Sequence, residues 1–105
     1  MKVYISGPMT GIADHNFPAF RAASGQLRAE GFEVLDPSAR GVVAGYRWAD
    51  YLKADIVMVL AAHAVVVLPG WEKSRGACLE VHIARELGLP VVEMGDLDDL
   101  WEMTA

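Results

Sequence analysis

The sequence predicts an α/β fold built on a small, mainly parallel four-stranded sheet. Three observations carry that prediction. Short β-branched runs alternate with segments of helical periodicity, and glycine or proline marks the boundaries between them. One run, Ala64 to Leu68, is apolar throughout, as in a strand covered on both faces. The 105 residues, 53% hydrophobic and 22% charged, suit one domain over residues 1–105 with a single core.

Lys2 to Ser6 is a strand rich in Val, Tyr and Ile, stopped by Gly7-Pro8, after which the chain loops. Phe17, Phe20, Ala23 and Leu27 recur at three- and four-residue steps and predict a helix from Phe17 to Glu30, closed by Gly31. Pro18 falls in its first turn, where the missing amide would be unpaired anyway. Phe32 to Leu35 is the second strand, ended by Asp36-Pro37. Trp48, Tyr51, Leu52, Ile56 and Val59 line one stripe of a helix from Tyr46 to Ala61. Ala64 to Leu68 is the third strand, and Ser74 caps a helix from Arg75 to Leu87 that Gly88 and Pro90 terminate. Val91 to Met94 is the fourth strand, and Asp96 to Met103 a short last helix. In such sheets ligands collect outside the carboxyl ends of the strands, where neighbouring connections diverge. Here that edge holds Ser6 to Gly11, Asp36-Pro37 and Leu68 to Ser74.

Nine basic against 14 acidic residues, a formal charge of −5, disfavour a nucleic-acid polymer as partner. The apolar run Ile56 to Leu68 is broken by His63 and falls short of the roughly 20 residues a membrane span needs. Gly7-Pro8 interrupts the N-terminal stretch before a signal-peptide core can form. A lone Cys78 excludes an internal disulfide and fits a cytoplasmic setting; amid the small residues of a helix it reads as packing. His15, His63 and His82 are scattered, so no metal or other cofactor is expected.

Two acidic residues stand on apolar helix faces. Glu80 shares its stripe with Gly76, Ala77, Ile83, Ala84 and Leu87, and Asp55 shares its own with Trp48, Tyr51, Leu52 and Val59. An unpartnered buried carboxylate costs several kcal/mol, on the order of the whole stability margin of a small domain. Either each is half-exposed at a helix edge or capping a polar group, or the two form a carboxylate pair at the mouth of a pocket. Tyr4 either donates from the first strand to such a carboxylate or is a core tyrosine satisfied by backbone. Gly7-Pro8-Met9-Thr10-Gly11 matches no phosphate-loop pattern and licenses only close backbone approach to a ligand. Ser74 and Arg75 stand at a helix start suited to an anion. Trp71, in the adjoining loop, either stacks on a planar base or lids the core.

These segments, Val3 to Gly11, Asn16 to Phe20, and Leu68 to Ala77 with Glu80, together resemble the nucleoside 2-deoxyribosyltransferase-like superfamily. Within it, the chain is similar to a small phage and prophage subfamily of unassigned chemistry. The resemblance implies a Rossmann-like or flavodoxin-like three-layer fold and cleavage of the bond between base and deoxyribose. By motif, Glu80 matches the nucleophilic glutamate and Asp55 the aspartate that contacts the sugar and assists at the leaving base. Tyr4 matches the tyrosine that hydrogen-bonds the nucleophile, and Ser74 the serine that holds a sugar hydroxyl or phosphate. Ser6, Gly7, Pro8, Met9, Trp71 and Gly76 complete the implied substrate-binding set. Two positions depart from the pattern. His63 stands where relatives often carry an aspartate, and Pro8-Met9 where the monophosphate hydrolases carry polar and basic residues that grip phosphate.

The resemblance therefore implies an N-glycosidic hydrolase or deoxyribosyltransferase acting on a small-molecule nucleoside or nucleotide through a covalent glycosyl–Glu80 ester. That chemistry expects Glu80 ionised near neutral pH, with hydrogen-bond donors offsetting burial. The rival expectation is a module that binds a nucleotide-derived ligand without turnover, as a sensor or sequestering protein. A homodimer or higher homo-oligomer is expected, because some relatives complete their sites with a neighbouring subunit.

Overall fold

The structure is a computed structural model that describes residues 1–104, with side chains through residue 102; Ala105, the last residue of the expected domain, lies outside the described residues. Four strands, β1 (Lys2–Ser6), β2 (Glu33–Leu35), β3 (Ala64–Val67) and β4 (Val91–Glu93), form one all-parallel sheet in the order β2-β1-β3-β4. Between them run α1 (Phe17–Ala29), α2 (Trp48–Ala61) and α3 (Arg75–Glu86), with α4 (Asp98–Thr104) at the end. No helix among the described residues is long and apolar enough to cross a membrane.

Alternation along β1 divides the interior. Val3 and Ile5 join Phe20, Leu27, Val66 and Leu100 beneath α1 and α4. Tyr4 packs on the other face with Val59, Val65, Val67, Val81 and Ala84, beneath α2 and α3. A strand's period of two therefore sends Tyr4 and Ser6 toward the α2/α3 layer. Chain direction diverges between β1 and β3: the connection after β1 leads to β2 on one side, and the connection after β3 leads to β4 on the other. That is where a doubly wound sheet opens a crevice.

Element identities follow the sequence, while several ends differ. α2 begins at Trp48 rather than Tyr46, because Arg47 is its N-cap and the Asp50 carboxylate accepts the Arg47 amide at 2.9 Å. β3 and β4 each stop a residue early, the latter because residues 94–96 wind into a 3-10 turn. Leu87 leaves the α3 stripe. It is the C-cap and is 52% exposed. Cys78 is likewise exposed rather than packed: two positions from Glu80, it lies roughly 200° around the helix, toward solvent. His63 ties two strands together, its Nδ1 accepting the Lys2 amide at 2.8 Å and its own amide reaching the Lys2 carbonyl.

Two glycines shape the sheet edge. A Cβ on Gly7 would meet Leu68 Cβ at 2.8 Å, so only glycine lets the β1 exit pack against the end of β3. Gly70, with φ of 85°, turns the chain back after β3 into the 3-10 turn Trp71–Lys73. That turn delivers Ser74 to the start of α3, where its Oγ accepts the Ala77 amide at 3.2 Å.

Candidate active site

At the carboxyl edge of β1 and β3 lies an open cleft of about 380 Å³, within the size range of small-molecule sites. Tyr4, Asp55 and Glu80 line it from β1, α2 and α3. Tyr4 donates its hydroxyl to Glu80 Oε1 at 3.0 Å, and Ser6 donates to the same oxygen at 2.7 Å. The Asp55 and Glu80 carboxyls line the same cleft close enough for each to influence the other's ionisation.

Burial dominates the electrostatics here. Glu80 is 5% exposed, and removal from water, opposed by the Ser6 hydroxyl and reinforced by the Asp55 charge, lifts its pKa from an ordinary 4.5 to about 8. Burial and the second carboxylate therefore work against the expected ionised Glu80, while the Ser6 and Tyr4 hydroxyls favour it. Asp55 is also raised by burial, but the Arg40 guanidinium opposes that, with Nη1 2.9 Å from Asp55 Oδ1. Tyr4 is pushed well above its usual value by burial and the adjacent Glu80, which keeps its hydroxyl a donor.

Other expected residues divide between two spaces. Gly7, Met9, Ser74 and Gly76 line the main cleft. Pro8 lies instead on an adjoining groove, which shares Trp48, Ser74 and Gly76 with the cleft. Ser6 is fully buried, so it reaches a ligand only through Glu80, not as a direct contact. Trp71 lines neither space. The Gly70 turn folds it onto the core of the α2/α3 layer, its ring 5.8 Å from the Arg85 guanidinium, and it lids the core rather than presenting a stacking face.

Several cleft residues were not nominated from sequence. Arg40 comes from the 3-10 turn Pro37–Arg40, which Asp36 caps by accepting the Ser38 amide at 2.8 Å. Trp48 supplies an aromatic wall, with Arg75 stacked 4.3 Å from its ring. Tyr51 is pinned, its hydroxyl accepting the Val43 amide at 2.9 Å. His15 and Phe17 reach the cleft from an unusual turn in which Asp14, His15 and Asn16 all have positive φ. Asn16 clips that turn by donating to the Pro8 carbonyl at 2.9 Å. Arg40 stands just beyond the β2 end, and the rule that ligands collect at strand ends was the one signal pointing to it.

A family model described as a domain of unknown function, DUF4406, matches residues 1–93. The chain belongs to the DUF4406 family. No curated protein matches this DUF4406 chain in sequence. Among solved structures it is similar to the 2-deoxyribosyltransferase of the psychrotolerant bacterium Bacillus psychrosaccharolyticus. The TM-score is 0.70 at 19% identity, over 89% of this chain and 71% of that one. The DUF4406 chain and that transferase therefore share the α/β fold with its parallel sheet.

Proposed function

We propose that this protein cleaves or transfers the N-glycosidic bond of a (deoxy)nucleoside or nucleotide, with Glu80 as nucleophile and Asp55 as its acid–base partner. The observation that carries the reading is the meeting of two carboxyls from separate helices in one open cleft, with two hydroxyls donating to one of them. The fold shared with a 2-deoxyribosyltransferase supports it.

The stoichiometry suits the reaction. Tyr4 and Ser6 hold Oε1, leaving Oε2 to bond C1′. As the C1′–N bond breaks, its electron pair stays with the base nitrogen, which takes the pair's proton through Asp55. Carboxylic acid plus nucleoside thus becomes glycosyl ester plus protonated free base. Water then gives hydrolysis, and a second base gives transfer, by the logic of retaining glycosidases. Trp48 and Phe17 offer aromatic faces to a planar base.

The test is incubation with a panel of deoxynucleosides and their 5′-monophosphates, with chromatography of the free base. Base release is expected from the wild type. Glu80→Gln is expected to abolish release while retaining ligand binding. Wild-type release rates in that variant would remove Glu80 as nucleophile. Saturable binding without any release by the wild type would favour a sequestering module.

A further inference from the structure

We propose that Arg40 is the positioning residue that decides which carboxyl of the pair carries the proton: by holding Asp55 as the anion, it leaves Glu80 as the acid. Arg40 Nη1 reaches Asp55 Oδ1 at 2.9 Å, with the two side chains only 17% and 13% exposed. A full positive charge at that distance stabilises a carboxylate more than a neutral hydroxyl does. Glu80 receives only hydroxyls from β1, and both donate to Oε1. This pattern fits a carboxylic acid whose carbonyl oxygen accepts twice while its O–H donates onward to the neighbouring carboxylate.

The groups that face the pair support the same assignment. They are Tyr4 and Ser6 on β1, Arg40 behind β2, Asp55 on α2 and Glu80 on α3, with His15 elsewhere on the cleft wall. Among the described residues, Arg40 is the cation paired with either carboxyl. Nothing on α2 or α3 themselves nominates Asp55 over Glu80 as the anion. The choice comes from a turn on a third element, anchored by the Asp36 cap. The consequence for catalysis rests on the glycosidic reading: the proton parked on Glu80 is the one that leaves with the base, so Arg40 would set the charge state without touching the reacting atoms.

The test reads protonation directly. Carboxyl ¹³C NMR on protein labelled at its Asp and Glu side chains, with Glu80→Gln and Asp55→Asn used to assign signals, follows both ionisations across pH. In Arg40→Met the lower midpoint of the pair is expected to rise by roughly 1–3 pH units, with the upper midpoint rising too. Arg40→Lys, which keeps the charge but loses the planar fork, is expected to recover part of that shift. Where Arg40→Met does not fold, Arg40→Lys alone must still raise the lower midpoint. Unmoved midpoints in a folded variant would overturn the assignment. Base release is not needed for this readout: a protein that titrates as expected yet releases no base from any substrate contradicts the glycosidic reading and leaves Arg40's role standing.

Discussion

Two hydroxyls on one oxygen give Glu80 its orientation, and their removal is the finest probe of the site. Ser6 sits 2.7 Å and Tyr4 3.0 Å from Oε1, and both oppose the rise in its pKa. Ser6→Ala and Tyr4→Phe should each raise the Glu80 midpoint further, Ser6→Ala the more, as its bond is the shorter. A hydrogen bond to a group that gains charge is worth about 1.5–3 kcal/mol. Each variant should therefore lose roughly 10- to 100-fold in kcat/KM for base release, with KM changing little. Steady-state kinetics checks both numbers. At this scale, Glu80 and Asp55 were legible because a carboxylate on an apolar helix face conflicts with its surroundings. Their proton was not legible, since it depends on Arg40, whose turn has no periodicity to give its direction away. Trp71 shows the same limit: it stood at the expected edge, and the Gly70 turn decides that it faces the core.

At the scale of elements, the site depends on how closely the β1 exit approaches the β3 exit. Gly7→Ala forces a Cβ to within 2.8 Å of Leu68 Cβ, where both partners are fixed by backbone. The expected cost is about 1–3 kcal/mol of stability, with weakened ligand binding as the loop lifts from the cleft. Denaturant unfolding and a binding isotherm measure the two. Ser74→Ala removes the α3 cap and should cost about 1 kcal/mol, a second check on whether α3 is held as described. The order of elements was readable because period-two and period-3.6 patterns alternate with glycine and proline between them. Their ends shifted by a residue or two, because capping by Arg47 and Asp50, or a 3-10 turn after β4, is decided by local hydrogen bonds that hydropathy does not register.

For the whole molecule, the carboxyl pair is a liability to folding. Glu80 holds its proton to about pH 8 in the folded state, against an ordinary 4.5. Between those values the folded chain binds a proton that the unfolded chain has released, so stability falls as pH rises through that window and levels off above it. Glu80→Gln keeps an acceptor for Tyr4 and Ser6 and removes the charge. It should raise the melting temperature, with a larger gain near about pH 9 than near about pH 5. Each kcal/mol gained is worth roughly 4–8 °C in a chain of this size. Thermal unfolding of both proteins across pH decides it. The proposed chemistry rests on the Glu80 proton. The most direct measurement is kcat/KM for base release against pH, using a deoxynucleoside whose base carries no acidic N–H. The rate should fall as pH rises through about 8, where the pair loses its last proton. A rate that instead climbs through that region, or stays level well beyond it, would contradict the account.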